Sequence, residues 1–117
     1  MTSYGDLLAA AKQQIAEVDT LQAAQLIQDG YETLDVREPE EFEQGAITGA
    51  IHIPRGHLES QIEQRLPKRD SKIMVYCAGG SRSAFAAKTL NDLGYSEVIS
   101  MDGGFTKWKS EGRPWDL

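Results

Sequence analysis

The chain has 117 residues, enough for one domain and too few for two of ordinary size. A 40% hydrophobic and 26% charged composition is ordinary for a soluble globular protein. The net charge of −6 argues against a nucleic-acid surface, which needs a basic face to neutralise phosphates.

The start, Met1 to Ala11, has no basic segment ahead of its apolar residues and carries Asp6, so it does not resemble a secretory signal. No stretch approaches the ~20 apolar residues of a membrane span. A cytoplasmic protein without a membrane partner is expected. Tyr4, Leu7, Leu8, Ala11 and Ile15 fall at helical spacing and predict a packing helix, so residues 1–14 read as a helical extension and 15–117 as the domain proper.

Ile15 to Val18 alternates like a short strand. Asp19 or Thr20 can cap a helix that runs through Leu21, Ala24 and Ile27 and ends at Gly30. Tyr31 to Val36 reads as a strand with Leu34 and Val36 inward. Pro39 suits a first helical position, and Glu40 and Glu41 suit the positive end of that helix, which stops at Gly45. Ile47 to Ile53 enters a further strand closed by Pro54. Leu58, Ile62 and Leu66 mark a helix ended by Pro67, and Lys68 to Lys72 is a charged turn.

Lys72 to Tyr76 is the most strand-like run and is expected at the sheet centre. Ala86, Leu90 and Leu93 form the apolar stripe of the next helix, stopped by Gly94. Ser96 to Met101 is expected to be the last strand, and Phe105 and Trp108 place a closing helix on the core. Strands alternating with short helices predict an α/β fold: a central parallel sheet of about five strands with helices on both faces. In such sheets ligands bind beyond the C-terminal ends of the strands.

Cys77 is the only cysteine, so no intrachain disulfide forms and no second cysteine can resolve an intermediate on the first. One Cys with His52 and His57 lacks zinc-ligand spacing, and no metal or organic cofactor is expected. The thiol ends an apolar strand and opens Ala78-Gly79-Gly80-Ser81-Arg82-Ser83, after which a helix begins. Main-chain N–H groups in such a loop, added to a helix N-terminus, favour negative charge at the centre. A hydrogen bond to a charged group is worth roughly 1.5–3 kcal/mol, so one or two such donors strongly favour the thiolate. The alternative role for Cys77 is that of a small buried hydrophobe. The glycine pair, Arg82 and the helix start favour chemistry, with Arg82 able to grip an anion through two nitrogens. That chemistry requires a sulfur that solvent and substrate can reach.

The segment Cys77 to Ser83 resembles the active-site loop of single-domain rhodanese sulfurtransferases. Asp35-Val36-Arg37-Glu38-Pro39-Glu40-Glu41-Phe42, with Gly45, Ile47, Gly49-Ala50 and Ile53-Pro54, is similar to that family's first signature. Gly103-Gly104-Phe105, Trp108 and Gly112-Arg113-Pro114 are similar to its C-terminal one. The resemblance runs from about Ile15 to Trp115. One position departs: Ala46 stands where the family usually has histidine, which puts a local hydrogen bond in question.

The resemblance implies a rhodanese-like domain working by ping-pong sulfur transfer. Cys77 takes sulfur from thiosulfate or another sulfane-sulfur donor, becomes a persulfide, and passes the sulfur to cyanide, a thiol or a protein acceptor. Ala78, Gly79, Gly80, Ser81, Arg82 and Ser83 are the expected binding residues, with Arg82 on the anionic donor. Asp35 is expected to brace nearby loops. Arg37 is expected in an ion pair, Glu40, Glu41 and Glu43 being near in sequence, with substrate contact as the alternative. The competing functions are a persulfide carrier for one protein partner, a binding module without catalysis, and a cysteine phosphatase or arsenate reductase. The last pair uses five residues between cysteine and arginine, against four here.

Overall fold

The computed structural model describes residues 2–117. Five strands form one parallel sheet: β1 (Ala16–Val18), β2 (Glu32–Asp35), β4 (Ile51–His52), β5 (Lys72–Tyr76) and β6 (Glu97–Met101), in the spatial order β1-β6-β5-β2-β4. The α/β fold expected from the alternating pattern is the one observed. β5 is central for a reason visible in its residues: Ile73, Met74, Val75 and Tyr76 are all fully buried, as in a strand covered on both faces.

Because side chains alternate across a strand, the odd and even residues of β5 build different cores. Ile73, Val75 and Cys77 pack with Leu58 and Ile62 of α4 (Leu58–Arg65) and with Ala86, Ala87 and Leu90 of α5 (Ser81–Asp92). Met74 and Tyr76 pack with Ala23 of α2 (Thr20–Gln28) and with Phe105 and Trp108 of α6 (Gly104–Ser110). Burying each large apolar side chain contributes roughly 1.5–3 kcal/mol, so the two layers together hold the sheet between its helices. The same alternation points Cys77 toward α5.

Local chemistry sets the helix ends. Asp19, not Thr20, is the N-cap of α2; its carboxylate accepts from Gln22 N at 2.8 Å and Gln22 Oε1 accepts from Asp19 N at 3.1 Å. Pro39 opens α3 (Pro39–Glu43), and Glu41 accepts from Glu38 N at 3.0 Å. Gly30, in the left-handed region, follows α2 as expected.

Three expectations change. The strand expected over Ile47–Ile53 is split by a turn at Thr48-Gly49 into β3 (Ala46–Ile47) and β4, and only β4 joins the central sheet. β6 is not the last strand. β7 (Trp115–Asp116) follows α6 and pairs antiparallel with β3, with Ala46 opposite Asp116. Ala46 is buried there. The third change concerns α1 (Tyr4–Gln13), which packs beside α5 but buries only Ala11 of its expected apolar face. Tyr4 and Leu7 are 63% and 54% exposed, and Tyr4 meets Phe85 with ring centroids 6.1 Å apart. Met1, the first residue of the expected 1–14 extension, lies outside the described residues. Among the described residues, no helix is long and apolar enough to cross a membrane.

Candidate active site

β5 and β2 are parallel neighbours, and Cys77 and the Asp35–Arg37 segment leave their C-terminal ends side by side. From β2 the chain proceeds to β4 on one side and then to β5 on the other, so this is where the strand order reverses and a ligand crevice opens.

The sulfur is held by the loop that follows it. Gly80 N–H donates to Cys77 Sγ at 3.1 Å and Ser83 N–H donates to it at 3.3 Å. Gly80 stands just before α5 with φ of 117°, and a side chain there would meet Asp102 Oδ1 at 3.3 Å. Among the described residues, the N–H groups of Ala78, Gly79, Ser81 and Arg82 have no hydrogen-bond partner, so four further donors border the loop. A buried hydroxyl pair completes the cradle. Ser100 Oγ on β6 donates to Ser83 Oγ at 2.9 Å, Ser83 Oγ donates to Gly80 O at 3.1 Å, and the Cys77 thiol lies 3.6 Å from Ser83 Oγ.

The carbonyl side of the loop is fixed by α6. Phe105 N–H donates to Cys77 O at 2.8 Å and Thr106 N–H donates to Ala78 O at 3.1 Å. This docking needs Gly104, which has φ of 62°; a Cβ on it would lie 2.3 Å from Ala78 O and 2.6 Å from Cys77 O.

Two expected features are not met. Cys77 has 0% exposure, so the sulfur is sealed in this conformation. The cause is its inward-facing position in β5 register and the loop folded over it, although Gly79 at the loop tip is exposed. Arg82 does not stand free for an anion. Its guanidinium grips Glu41 on α3 with Nη1–Oε1 at 2.6 Å and Nη2–Oε2 at 3.0 Å. Those hydrogen bonds hold the Glu41 carboxyl at about 2, below its ordinary 4.5, against the opposing effect of partial burial. The same pairing raises Arg82.

Arg37 forms the expected ion pair, but with Asp35 rather than with the nearby glutamates. Arg37 Nη2 lies 2.8 Å from Asp35 Oδ2, Nε is 3.1 Å from both carboxylate oxygens, and Nη2 also donates to Gly45 O at 2.6 Å. Asp35 is 0% and Arg37 4% exposed. Asp35 thus orients the guanidinium that ties the end of β2 to the α3–β3 turn. Arg37 also stacks over Phe105, 4.5 Å from the ring centroid. Burial and Asp35 push the Tyr76 hydroxyl far up its scale, and that oxygen accepts from Ile47 N at 3.0 Å.

Beside Ala78 lies an open cavity of about 310 Å³ lined by Arg37, Glu41, Gln44, Ala78, Phe105, Thr106 and Lys109. Its size is at the small end of ligand pockets, which run about 300–1,000 Å³. Arg55 and Arg69 stay outside it, Arg55 bonding Glu59 and Thr89 and Arg69 bonding Tyr95. His52 bonds the Arg37 carbonyl at 2.8 Å and has no contact with the sulfur.

Glu41, Ser100 and Gly104 escaped the sequence assignment of the site. For Ser100 a signal existed: one hydroxyl inside the apolar run Val98-Ile99-Ser100-Met101 needs a buried partner.

The comparisons agree with this geometry. The Rhodanese-like domain family matches residues 17–111. The uncharacterised protein YqhL of Bacillus subtilis is 44% identical over 77 residues; the match covers 64% of this chain and 58% of YqhL, so the chain spans under two thirds of that relative. The thiosulfate sulfurtransferase GlpE of Pseudomonas aeruginosa is 36% identical over 89 residues, covering 76% of this chain and 79% of GlpE. A solved structure from Rhodopseudomonas palustris, of unknown function and described as a possible tyrosine phosphatase, superimposes with a TM-score of 0.88 at 36% identity, covering 99% of this chain and 96% of the other. With a family match over most of its length, and with its cysteine loop seated where two parallel strands diverge, the chain belongs to the rhodanese-like domain family.

Proposed function

We propose that the protein is a sulfurtransferase that carries sulfur on Cys77. The carrying observation is the pair of main-chain donors, Gly80 N–H and Ser83 N–H, already aimed at Sγ. They point two main-chain N–H dipoles at the attacking sulfur, and the unpartnered N–H groups of Ala78, Gly79, Ser81 and Arg82 are available to a second sulfur. The thiolate attacks the sulfane sulfur of a donor such as thiosulfate. A new S–S bond forms at Cys77 as the donor's S–S bond breaks, and sulfite leaves with that electron pair. A nucleophilic acceptor, whether cyanide, a thiol or a protein thiolate, then removes the outer sulfur and regenerates Cys77. Neither half-reaction calls for a metal or an organic cofactor.

Because Cys77 is sealed, donor capture requires the loop tip at Ala78-Gly79 to move aside. Gly79 is exposed, and a Cβ placed on it would meet nothing within 4 Å, so the tip has room to shift. The relatives named as sulfurtransferases support the chemistry. The name of the Rhodopseudomonas palustris neighbour supports a phosphatase instead. Two observations favour sulfur over phosphate. Only four residues separate Cys77 from Arg82, and the Arg82 guanidinium is engaged by Glu41. A smaller ring suits a single sulfur atom better than a phosphate group.

The test is mass spectrometry of the native protein after thiosulfate treatment, together with sulfite release. One added sulfur on Cys77 is expected, and Cys77→Ala should abolish both signals while keeping its circular-dichroism spectrum. A Cys77 that resists both thiosulfate and a small alkylating reagent would refute sulfur transfer. So would turnover of an aryl phosphate without sulfite release. Slow discharge to cyanide with fast discharge to one protein would assign the persulfide to a carrier role.

A further inference from the structure

The cavity beside Ala78 is lined by three charged side chains, two with ion-pair partners and one without. Arg37 is neutralised by Asp35, and Glu41 by Arg82. Lys109 remains. Among the described residues it joins no ion pair. The charge that Lys109 brings to the cavity is therefore uncompensated.

Its position is defined by more than exposure. Lys109 lies one turn beyond Phe105 and Thr106 on α6, so its side chain falls on the same helix face. The ammonium sits 5.6 Å from the Phe105 ring centroid and 4.9 Å from that of Trp115, so two aromatic rings hold it. Phe105 lines the cavity and also anchors the Cys77 carbonyl through its N–H, while Thr106 anchors that of Ala78. The helix that presents Lys109 is thus the helix that fixes the cysteine loop. Gln44 and the Thr106 hydroxyl add neutral groups at the cavity wall, and among the described residues neither side chain has a hydrogen-bond partner.

We propose that this cavity is the donor subsite and that Lys109, not Arg82, supplies its anion contact, selecting sulfane-sulfur donors that carry an oxyanion group. The proposal rests on Cys77 sulfur transfer. The donor's oxyanion end meets Lys109 and the Gln44 amide, which leaves its sulfane sulfur toward Ala78 and the sulfur beyond. Lys109 touches the donor before and after the S–S bond shifts to Cys77, so its effect falls on binding more than on the chemical step.

The experiment compares the full-length protein with Lys109→Gln and with Lys107→Gln, a control that removes the same charge from α6 outside the cavity lining. Thiosulfate is the donor and cyanide the acceptor. Lys109→Gln is expected to raise the KM for thiosulfate by roughly 5- to 20-fold with kcat changed less than about twofold. Lys107→Gln should match the parent. Because KM can depart from an affinity, thiosulfate is also titrated onto Cys77→Ala with and without Lys109→Gln, with isothermal titration calorimetry as the readout; weaker binding in the double variant is expected. An unchanged KM and unchanged binding in Lys109→Gln, or an equal loss in Lys107→Gln, overturns the subsite while leaving sulfur transfer intact. A parent protein that takes no sulfur from thiosulfate overturns both.

Discussion

Two carboxylate–guanidinium pairs flank the cysteine, and they differ in almost everything but chemistry. Asp35–Arg37 is buried, spans two residues of sequence, and directs further guanidinium bonding to the Gly45 carbonyl. Glu41–Arg82 spans 41 residues, and its side chains are 33% and 34% exposed. Burial makes the first pair costly to break, since an orphaned partner has no water to replace the lost charge. Solvent makes the second pair cheap to break and free to influence the adjacent cavity. One pair is a brace and the other sets local charge.

The sharpest way to break the contrast is Asp35→Ala, which strands the buried Arg37. A loss of about 3–5 kcal/mol is expected in denaturant melts. A loss as small as that of a surface pair would remove the distinction. Next comes Gly104→Ala, which attacks the α6 docking that both pairs border. Its Cβ has to displace the Ala78 carbonyl, and a cost of about 1–3 kcal/mol is expected. Sulfite release should fall more than stability does, because the loop that holds the sulfur is what moves.

Glu41→Gln is the mildest change. The amide can still accept from Glu38 N, so the α3 cap survives while the charge is lost. Stability should fall by less than about 1 kcal/mol. The KM for thiosulfate should fall roughly two- to fivefold, because Arg82 is freed and the cavity gains net positive charge. The pH dependence follows from the sign of the shift. Folding lowers the Glu41 carboxyl from 4.5 to about 2, so the pair's stabilisation is complete above 4.5 and is lost as pH falls through about 2. The stability difference between parent and Glu41→Gln should be constant at neutral pH and close over that acidic window. A difference that persists unchanged below about 2 would assign it to the hydrogen bond alone.

Much of this was legible from local residues. The apolar run of β5 announced a strand at the sheet centre, and Cys77 stood at its C-terminal end, where such sheets bind ligands. Pro39, Gly30 and the glycines after Cys77 marked helix ends through backbone restrictions that act over two or three residues. The failures share a different cause. The run from Ile47 to Ile53 looked continuous because apolar pattern does not report which sheet a strand joins; Ile47 at its start pairs with β7 instead. Tyr4 and Leu7 kept helical spacing on α1 yet found little to cover them.

The amino-acid order by itself determined the parallel α/β layering, the cysteine at a strand end and the main-chain donors around it, because periodicity and turn chemistry act over a few neighbouring residues. Only the tertiary structure decided that Arg82 belongs to Glu41, that Gly104 presses against the Ala78 carbonyl, that Cys77 is sealed, and that Lys109 is left as the uncompensated charge of the cavity. Charge pairing and close approach depend on which distant elements pack together, and no local spacing encodes that.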